Sequence, residues 1–221
     1  MEILINEIFG KVNSKKFLNL IVSGGRSPLK FYKHLAKKKE NLEKIFFFLV
    51  DERIVSLKNN QSNYKTINKI FIRNKASIYI NPLNKKSVSK INKRKLIALL
   101  KKYEIFSVIG MGNDGHFASI FSESKKFKTL TNTNLRPDIL LTEKIGKPKY
   151  RRVTMNLSMI LMSKKIYLII NNQKKINLFK KAIKVKNSKI YPIYSLVKNA
   201  KRKLIIYDGK KLKKMKNFAL H

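Results

Sequence analysis

The chain has 221 residues, 43% of them hydrophobic, which is enough apolar material for the core of one domain. It contains no cysteine, so a disulfide framework and thiolate metal ligation are both excluded. The formal net charge of +39 admits two readings. A polyanion binder would concentrate its Lys and Arg on one face, whereas compositional drift would spread them, and here lysines are scattered among many Asn and Ile residues along the whole length.

The opening residues Met1-Glu2-Ile3-Leu4-Ile5-Asn6-Glu7 carry acids early and no long apolar run. Neither a signal peptide nor a membrane span is expected, which points to the cytoplasm. Phe17 to Val22 reads as a buried strand, followed by the turn Ser23-Gly24-Gly25-Arg26 and a helix through Lys39, with Ser27 as cap and Pro28 at the first helical position. Ile45 to Val50 is a second apolar run, bounded by Asp51-Glu52-Arg53. A helix fits Ser62 to about Ile72, and a short strand fits Ser77 to Ile80, before Pro82. Lys86 to Glu104 reads as an amphipathic helix with Ile91, Leu96, Ile97, Leu99 and Leu100 on its apolar side.

Ile105 to Ile109 is a strand that runs into Gly110-Met111-Gly112-Asn113-Asp114-Gly115-His116. A less regular region reaches to about Pro148. A strand near Val153 to Met155, a short helix from Ser158 to Met162, a strand from Ile166 to Ile170, a helix from Lys174 to Lys184 and a strand from Leu204 to Tyr207 follow. Lys210 to Lys216 is a last helix or a frayed tail. Strands alternating with helices, with no repeat or linker dividing them, predict a single α/β domain over residues 1–221. Its sheet is mainly parallel and Rossmann-like, with helices on both faces.

Ligands of such a sheet bind beyond the carboxyl ends of the strands. Three strand exits carry the chemistry. In the first, Gly24 and Gly25 allow a tight turn whose N–H groups face an anion, the following helix start adds its positive end, and Arg26 adds a donor. The bare alternative is a simple turn. The second is Asp51-Glu52-Arg53, which is either part of the site, a solvated loop or a turn capped by Asp51. The third presents His116. Of the other histidines, His34 sits among lysines on a helix and His221 is the last residue, so His116 is the one candidate for a general base. Together the three loops describe an anionic substrate gripped beside a base.

Four segments in order carry a family resemblance. Ser23-Gly24-Gly25-Arg26-Ser27-Pro28, Asp51-Glu52-Arg53 with Ser62-Asn63-Tyr64, Gly110 through Phe121, and Arg152-Val153-Thr154 resemble the motif series of the 6-phosphogluconolactonases over about residues 17 to 208. The resemblance implies hydrolysis of 6-phospho-D-glucono-1,5-lactone to 6-phosphogluconate in the oxidative pentose phosphate pathway, without a metal or organic cofactor. It makes His116 the base that activates water and Asp114 a residue that shapes the loop. Ser23, Gly24, Gly25, Arg26 and Ser27 would receive the phosphate, and Arg53, Arg152 and Lys175 would face the substrate as cations. Ser122 replaces a family proline. Asn172 replaces a family glycine before the lysine, which raises the expectation of a left-handed backbone there.

The related glucosamine-6-phosphate deaminases share the Ser-Gly-Gly loop and an Asp-Gly-His motif. They would carry Asp-Glu-Tyr in place of Asp51-Glu52-Arg53 and a Phe-Asn-Glu-Pro-like run in place of Ala118-Ser119-Ile120-Phe121. A rival of another class is a basic nucleic-acid-binding module on the same fold. The lactonase reading expects a small sugar-phosphate lactone as partner, no membrane, no specific nucleic acid, and a monomer or weak homodimer.

Overall fold

The computed structural model describes residues 2–12, 16–38, 41–71, 77–79, 90–209 and 213–214. In chain order these form helix α1 (Glu2–Phe9), strand β1 (Leu18–Val22), α2 (Leu29–Lys37), β2 (Ile45–Leu49), β3 (Asp51–Arg53), α3 (Asn63–Phe71) and β4 (Ser77–Tyr79). Then come α4 (Lys90–Lys101), β5 (Glu104–Gly110), α5 (Phe127–Thr131), β6 (Ile139–Leu141), β7 (Arg152–Met155) and α6 (Leu157–Ile160). The chain continues through β8 (Lys165–Ile170), α7 (Gln173–Val185), α8 (Ile193–Ala200), β9 (Leu204–Asp208) and β10 (Lys213–Lys214).

Seven strands make the main sheet in the order β10-β9-β8-β5-β1-β2-β4. All neighbours are parallel except β10 on β9. The period of two along each buried strand sends alternate side chains to opposite faces. Leu18, Leu20 and Val22 of β1, with Phe106 and Val108 of β5, pack with Ile8, Tyr32, Leu35 and Ile67 from α1, α2 and α3. Ile21, Ile105 and Ile109 go the other way, to Leu96 and Leu100 of α4, Phe179 of α7 and Leu196 of α8. Two cores on two faces give the expected α/β layering.

The chain builds outward from β1 through β2 to β4, then returns to β5 on the other side of β1. The β1/β5 boundary is therefore the topological switch point, where the loops after the two strands diverge and leave a crevice. The predicted strands are present, most with ends within a residue or two. Lys39, Ile72, Ile80, Pro82, residues 86–89 and His221 lie outside the described residues.

Three features differ from the sequence reading. Asp51-Glu52-Arg53 is not a solvated loop. It is β3, the edge of a second sheet ordered β3-β7-β6 and antiparallel throughout. Its strands β3 and β6, like α5, carry too few residues to show a period, whereas β7 is the strand expected near Val153 to Met155. The helix expected to reach Glu104 stops at Lys101, because Glu104 already pairs with Leu18 in the sheet. Of the Lys210 to Lys216 tail, Lys213 and Lys214 form a strand against β9 rather than a helix, and residues 210–212 and 215–216 lie outside the described residues.

One buried polar residue joins sheet to helix. Asn19, fully buried on β1, donates through Nδ2 to the carbonyls of Leu99 (3.2 Å) and Leu100 (2.7 Å) in the last turn of α4. Helix ends leave such carbonyls without intrahelical partners. Replacing Asn19 by Ala is predicted to destabilise the protein by about 1–3 kcal/mol, the usual effect of orphaning buried acceptors. A lowered urea midpoint with unchanged slope would show it; an unchanged midpoint would rule it out.

Candidate active site

The loop after β5 doubles back on itself. Gly112 N–H donates to the His116 carbonyl (2.8 Å), Gly115 N–H donates to the Gly112 carbonyl (3.3 Å), and Gly115 has φ of +81°. The His116 ring lies directly on Gly112: a β-carbon there would sit 2.1 Å from Nδ1 and Cε1 of the imidazole. Glycine at 112 is thus a condition for the ring's position. Ala118, two residues on, also has positive φ (+49°), a conformation uncommon for a residue with a side chain.

Asp114 Oδ1 accepts from His116 Nδ1 at 2.5 Å and from the His116 backbone N–H at 3.2 Å. A carboxylate only accepts, so this contact places the proton of the neutral imidazole on Nδ1 and leaves Nε2 as the acceptor. Partial burial works to raise the Asp114 carboxyl, but its bonds and attraction to His116 outweigh this and hold it below the usual carboxylate range. The pair therefore stays ionised on the Asp side further into acid than an isolated Asp would.

Beyond β1, Ser23 Oγ accepts from Gly110 N–H at 2.9 Å and so ties the first strand exit to the third. Tyr32, whose hydroxyl burial keeps neutral, donates to the Ser23 carbonyl at 3.0 Å. Gly24 is required by contact, since a β-carbon would meet the Asn63 side chain at 2.4 Å, while the space above Gly25 is open. Ser27 does not cap the helix as the sequence suggested. Pro28 takes the N-cap position of α2, and Ser27 Oγ instead donates to Asn171 Oδ1 (3.3 Å) and accepts from Lys175 Nζ (3.2 Å).

Antiparallel register sets Arg53 of β3 opposite Arg152 of β7. Like charges in that position repel. Arg53 donates from Nη1 to the Gln61 carbonyl (2.8 Å) and to Asn63 Oδ1 (3.0 Å), and its Nε is buried without a hydrogen-bond partner among the described residues. Arg152 is buried, and its guanidinium donates to the carbonyls of Ile145 and Pro148. Among the described residues neither arginine forms an ion pair. Burial lowers the Arg152 pKa, Asp51 opposes that shift and Arg53 adds to it.

Asp51 is the buried carboxylate between these parts. Its Oδ2 accepts from Ser119 Oγ at 2.5 Å, its Oδ1 from Asn63 Nδ2 at 3.2 Å, and its backbone carbonyl from the same amide at 2.8 Å. Glu52, fully buried, accepts from Ser62 Oγ and from the backbone N–H groups of Arg53, Asn63 and Tyr64 at 2.7–2.9 Å. Burial pushes its carboxyl up, and these four bonds, three of them at the start of α3, pull it back.

One cleft of about 130 Å³ gathers Ser23, Gly25, Arg26 and Ser27 with Arg53, Arg152, Lys175 and His116. Two predicted residues stand slightly apart. Gly24 faces Asn63, and Asp114 lines an adjoining cavity that shares Arg53, His116 and Arg152 with the first. Sequence reasoning did not assign Asp51, Asn63, Ser119 and Phe121 to the site, although each lies inside a quoted motif. For Asp51 the available signal was its charge at a strand exit; Asn63, Ser119 and Phe121 offered none, since their places come from tertiary contacts. Among the described residues no group of three His, Asp or Glu side chains is placed to hold a metal ion, and no helix is long and apolar enough to cross a membrane.

Residues 1–206 match the model of the glucosamine-6-phosphate isomerases/6-phosphogluconolactonase family. The chain belongs to that family. A 6-phosphogluconolactonase of Neisseria meningitidis serogroup A is 32% identical over 190 residues, 83% of this chain and 81% of the relative. The solved 6-phosphogluconolactonase of Thermotoga maritima superposes with a TM-score of 0.74 at 27% identity, over 94% of each chain. A monomeric glucosamine-6-phosphate deaminase superposes with a TM-score of 0.69 at 18% identity, over 95% of this chain and 94% of its own. The family thus takes its name from two activities on one fold, and side chains must separate them.

The expectation of a left-handed backbone at Asn172 is overturned. Its φ and ψ of −153° and 161° are extended, and its Oδ1 accepts from Lys175 N–H at 2.9 Å, capping α7. Asn at this position therefore supports the start of the helix that carries Lys175. Asn172→Ala is predicted to cost about 1 kcal/mol of stability and Asn172→Gly only a few tenths. Equal thermal midpoints for the Ala variant and the parent would contradict the cap.

Proposed function

We propose that the protein hydrolyses 6-phospho-D-glucono-1,5-lactone, with His116 as general base. The observation that carries this is the meeting, in one cleft, of a glycine-rich strand exit flanked by cations and an Asp-oriented histidine. Four cations, Arg26, Arg53, Arg152 and Lys175, face one carboxylate, Asp51, so the cleft suits a phosphorylated substrate. The similarity to named 6-phosphogluconolactonases supports the lactone as that substrate. Arg53 in place of the deaminases' tyrosine and Ala118-Ser119 after the histidine loop point the same way. The reading places the protein in the cytoplasm as a monomer or weak homodimer, with the lysine excess owed to composition.

In this reading the phosphate sits against Ser23–Ser27, with Lys175 and Arg26 as charged donors. That anchor sets the lactone carbonyl beside His116, so binding energy from a nonreacting group orients the reacting one. Nε2 of His116 takes a proton from water as the water oxygen bonds to the carbonyl carbon, and the carbonyl electrons move onto its oxygen. Asp114 holds the imidazolium that forms. The tetrahedral oxyanion then collapses, the bond from carbon to ring oxygen breaks, and the ring oxygen receives the proton from His116. An arginine of the Arg53/Arg152 pair is the natural donor to the oxyanion.

The test is a coupled assay in which glucose-6-phosphate dehydrogenase generates the lactone and its decay is followed. His116→Ala should lower kcat by about 10²- to 10⁴-fold, the range for loss of a general base, and change KM little. Gly112→Ala should approach the same loss, because its methyl group and the imidazole cannot share the site. Arg53→Ala should damage both constants. Decay as fast with His116→Ala as with the parent would remove the base from the mechanism. A salt-dependent shift on RNA or DNA, without lactone hydrolysis above background, would favour the nucleic-acid module.

A further inference from the structure

Phe121 is nearly buried, and neither its sequence position nor the lactonase mechanism assigns it a task. Its ring stacks on the His116 imidazole with centroids 4.1 Å apart and an interplanar angle of 27°. The same ring lies 5.2 Å from the Arg152 guanidinium carbon. Gly146 backs the arrangement, since a β-carbon there would come within 2.9 Å of Arg152 Nη2 and 3.0 Å of the Phe121 ring. Asp114 restrains the imidazole at its Nδ1 edge and the ring lies against Gly112. A flat aromatic partner adds a restraint across the ring's face against tilting.

The geometry points to Phe121 as a positioning residue that holds the His116 imidazole in its reactive orientation and, through its π face, favours the imidazolium formed during turnover. The attraction of a cation to the face of an aromatic ring is electrostatic and strengthens when water is excluded. Arg152 carries its charge at all times, and His116 acquires one only after proton transfer. The ring therefore acts on the second of these differently in the ground state and during reaction, which is how an interaction changes kcat rather than KM. Asp51 and the facing Arg53 contribute charge around Arg152 but do not stack on the imidazole.

This inference rests on the proposed role of His116, and its test separates the two. Phe121→Leu keeps an apolar side chain and removes the π face; Phe121→Tyr keeps the ring. In the lactone assay Phe121→Leu should lower kcat by about three- to tenfold, the size of a cation–π contact at a partly desolvated site, with KM within about twofold. Phe121→Tyr should restore most of the rate. The parent and His116→Ala, run alongside, report on the base itself.

Independently of activity, the His116 imidazole proton resonances, assigned by their loss in His116→Ala, should move downfield in Phe121→Leu as the ring current disappears and stay near the parent position in Phe121→Tyr. If Phe121→Leu fails to fold, Phe121→Met takes its place in both measurements. Unchanged resonances in Leu or Met would overturn the proposal whatever the enzyme does. Equal losses of kcat in Tyr and Leu, or a parental kcat in Leu, would overturn it too.

Discussion

The buried carboxylate of Asp51 is the tie on which the cleft depends. It sits on β3, at the exit of β2, accepts from Ser119 in the histidine loop and from Asn63 at the start of α3. Ser119 N–H in turn donates to Thr154 Oγ1 on β7. One carboxylate thus links the main sheet, the second sheet and the loop that carries His116. Without it the second strand exit would lose its side-chain tie to the histidine loop, whereas the first and third exits stay joined through Ser23 Oγ and Gly110 N–H. A buried charge is costly unless its hydrogen bonds are satisfied, and here each of the two carboxylate oxygens has a donor.

The same arrangement explains why the cleft remains cationic. Asp51 uses its oxygens on neutral donors rather than on the guanidinium groups near it, and the facing Arg53 and Arg152 bond to carbonyls and an amide. In the proposed function, the repulsion built into that register is what the substrate's negative charge would relieve. The positive field is a property of strand pairing as much as of composition. The overall charge of +39 needs no role in it, since four named cations suffice.

Much of this was legible in the sequence because the relevant signals are local. Apolar runs of five or six residues between glycine, proline or charge clusters marked β1, β2, β5 and β8, and the rule that ligands gather at strand exits selected three loops whose residues line one cleft. Of the second sheet only β7 was legible, because Asp51-Glu52-Arg53 is polar throughout and becomes a strand by pairing with β7, a hundred residues away, under the start of α3 and the histidine loop. Ser27 and Asn172 show the same limit in reverse. At Ser27 a correct local cap signal lost to a tertiary bond with Lys175; at Asn172 a missing glycine suggested backbone strain that the extended φ removes. Phe121 carried no signal of its own, since its meaning comes from His116 and Arg152 meeting on one ring.

The central claim is that a gripped phosphate holds a lactone carbonyl against a histidine base. Comparing the protein's kcat/KM on 6-phospho-D-glucono-1,5-lactone with that on unphosphorylated glucono-1,5-lactone, each corrected for spontaneous opening, tests it most directly. The account predicts a preference of about a hundredfold or more for the phosphorylated lactone, because the anchor supplies the orientation that turns binding energy into rate. Equal values on the two lactones, or no acceleration of either above spontaneous opening, would contradict it.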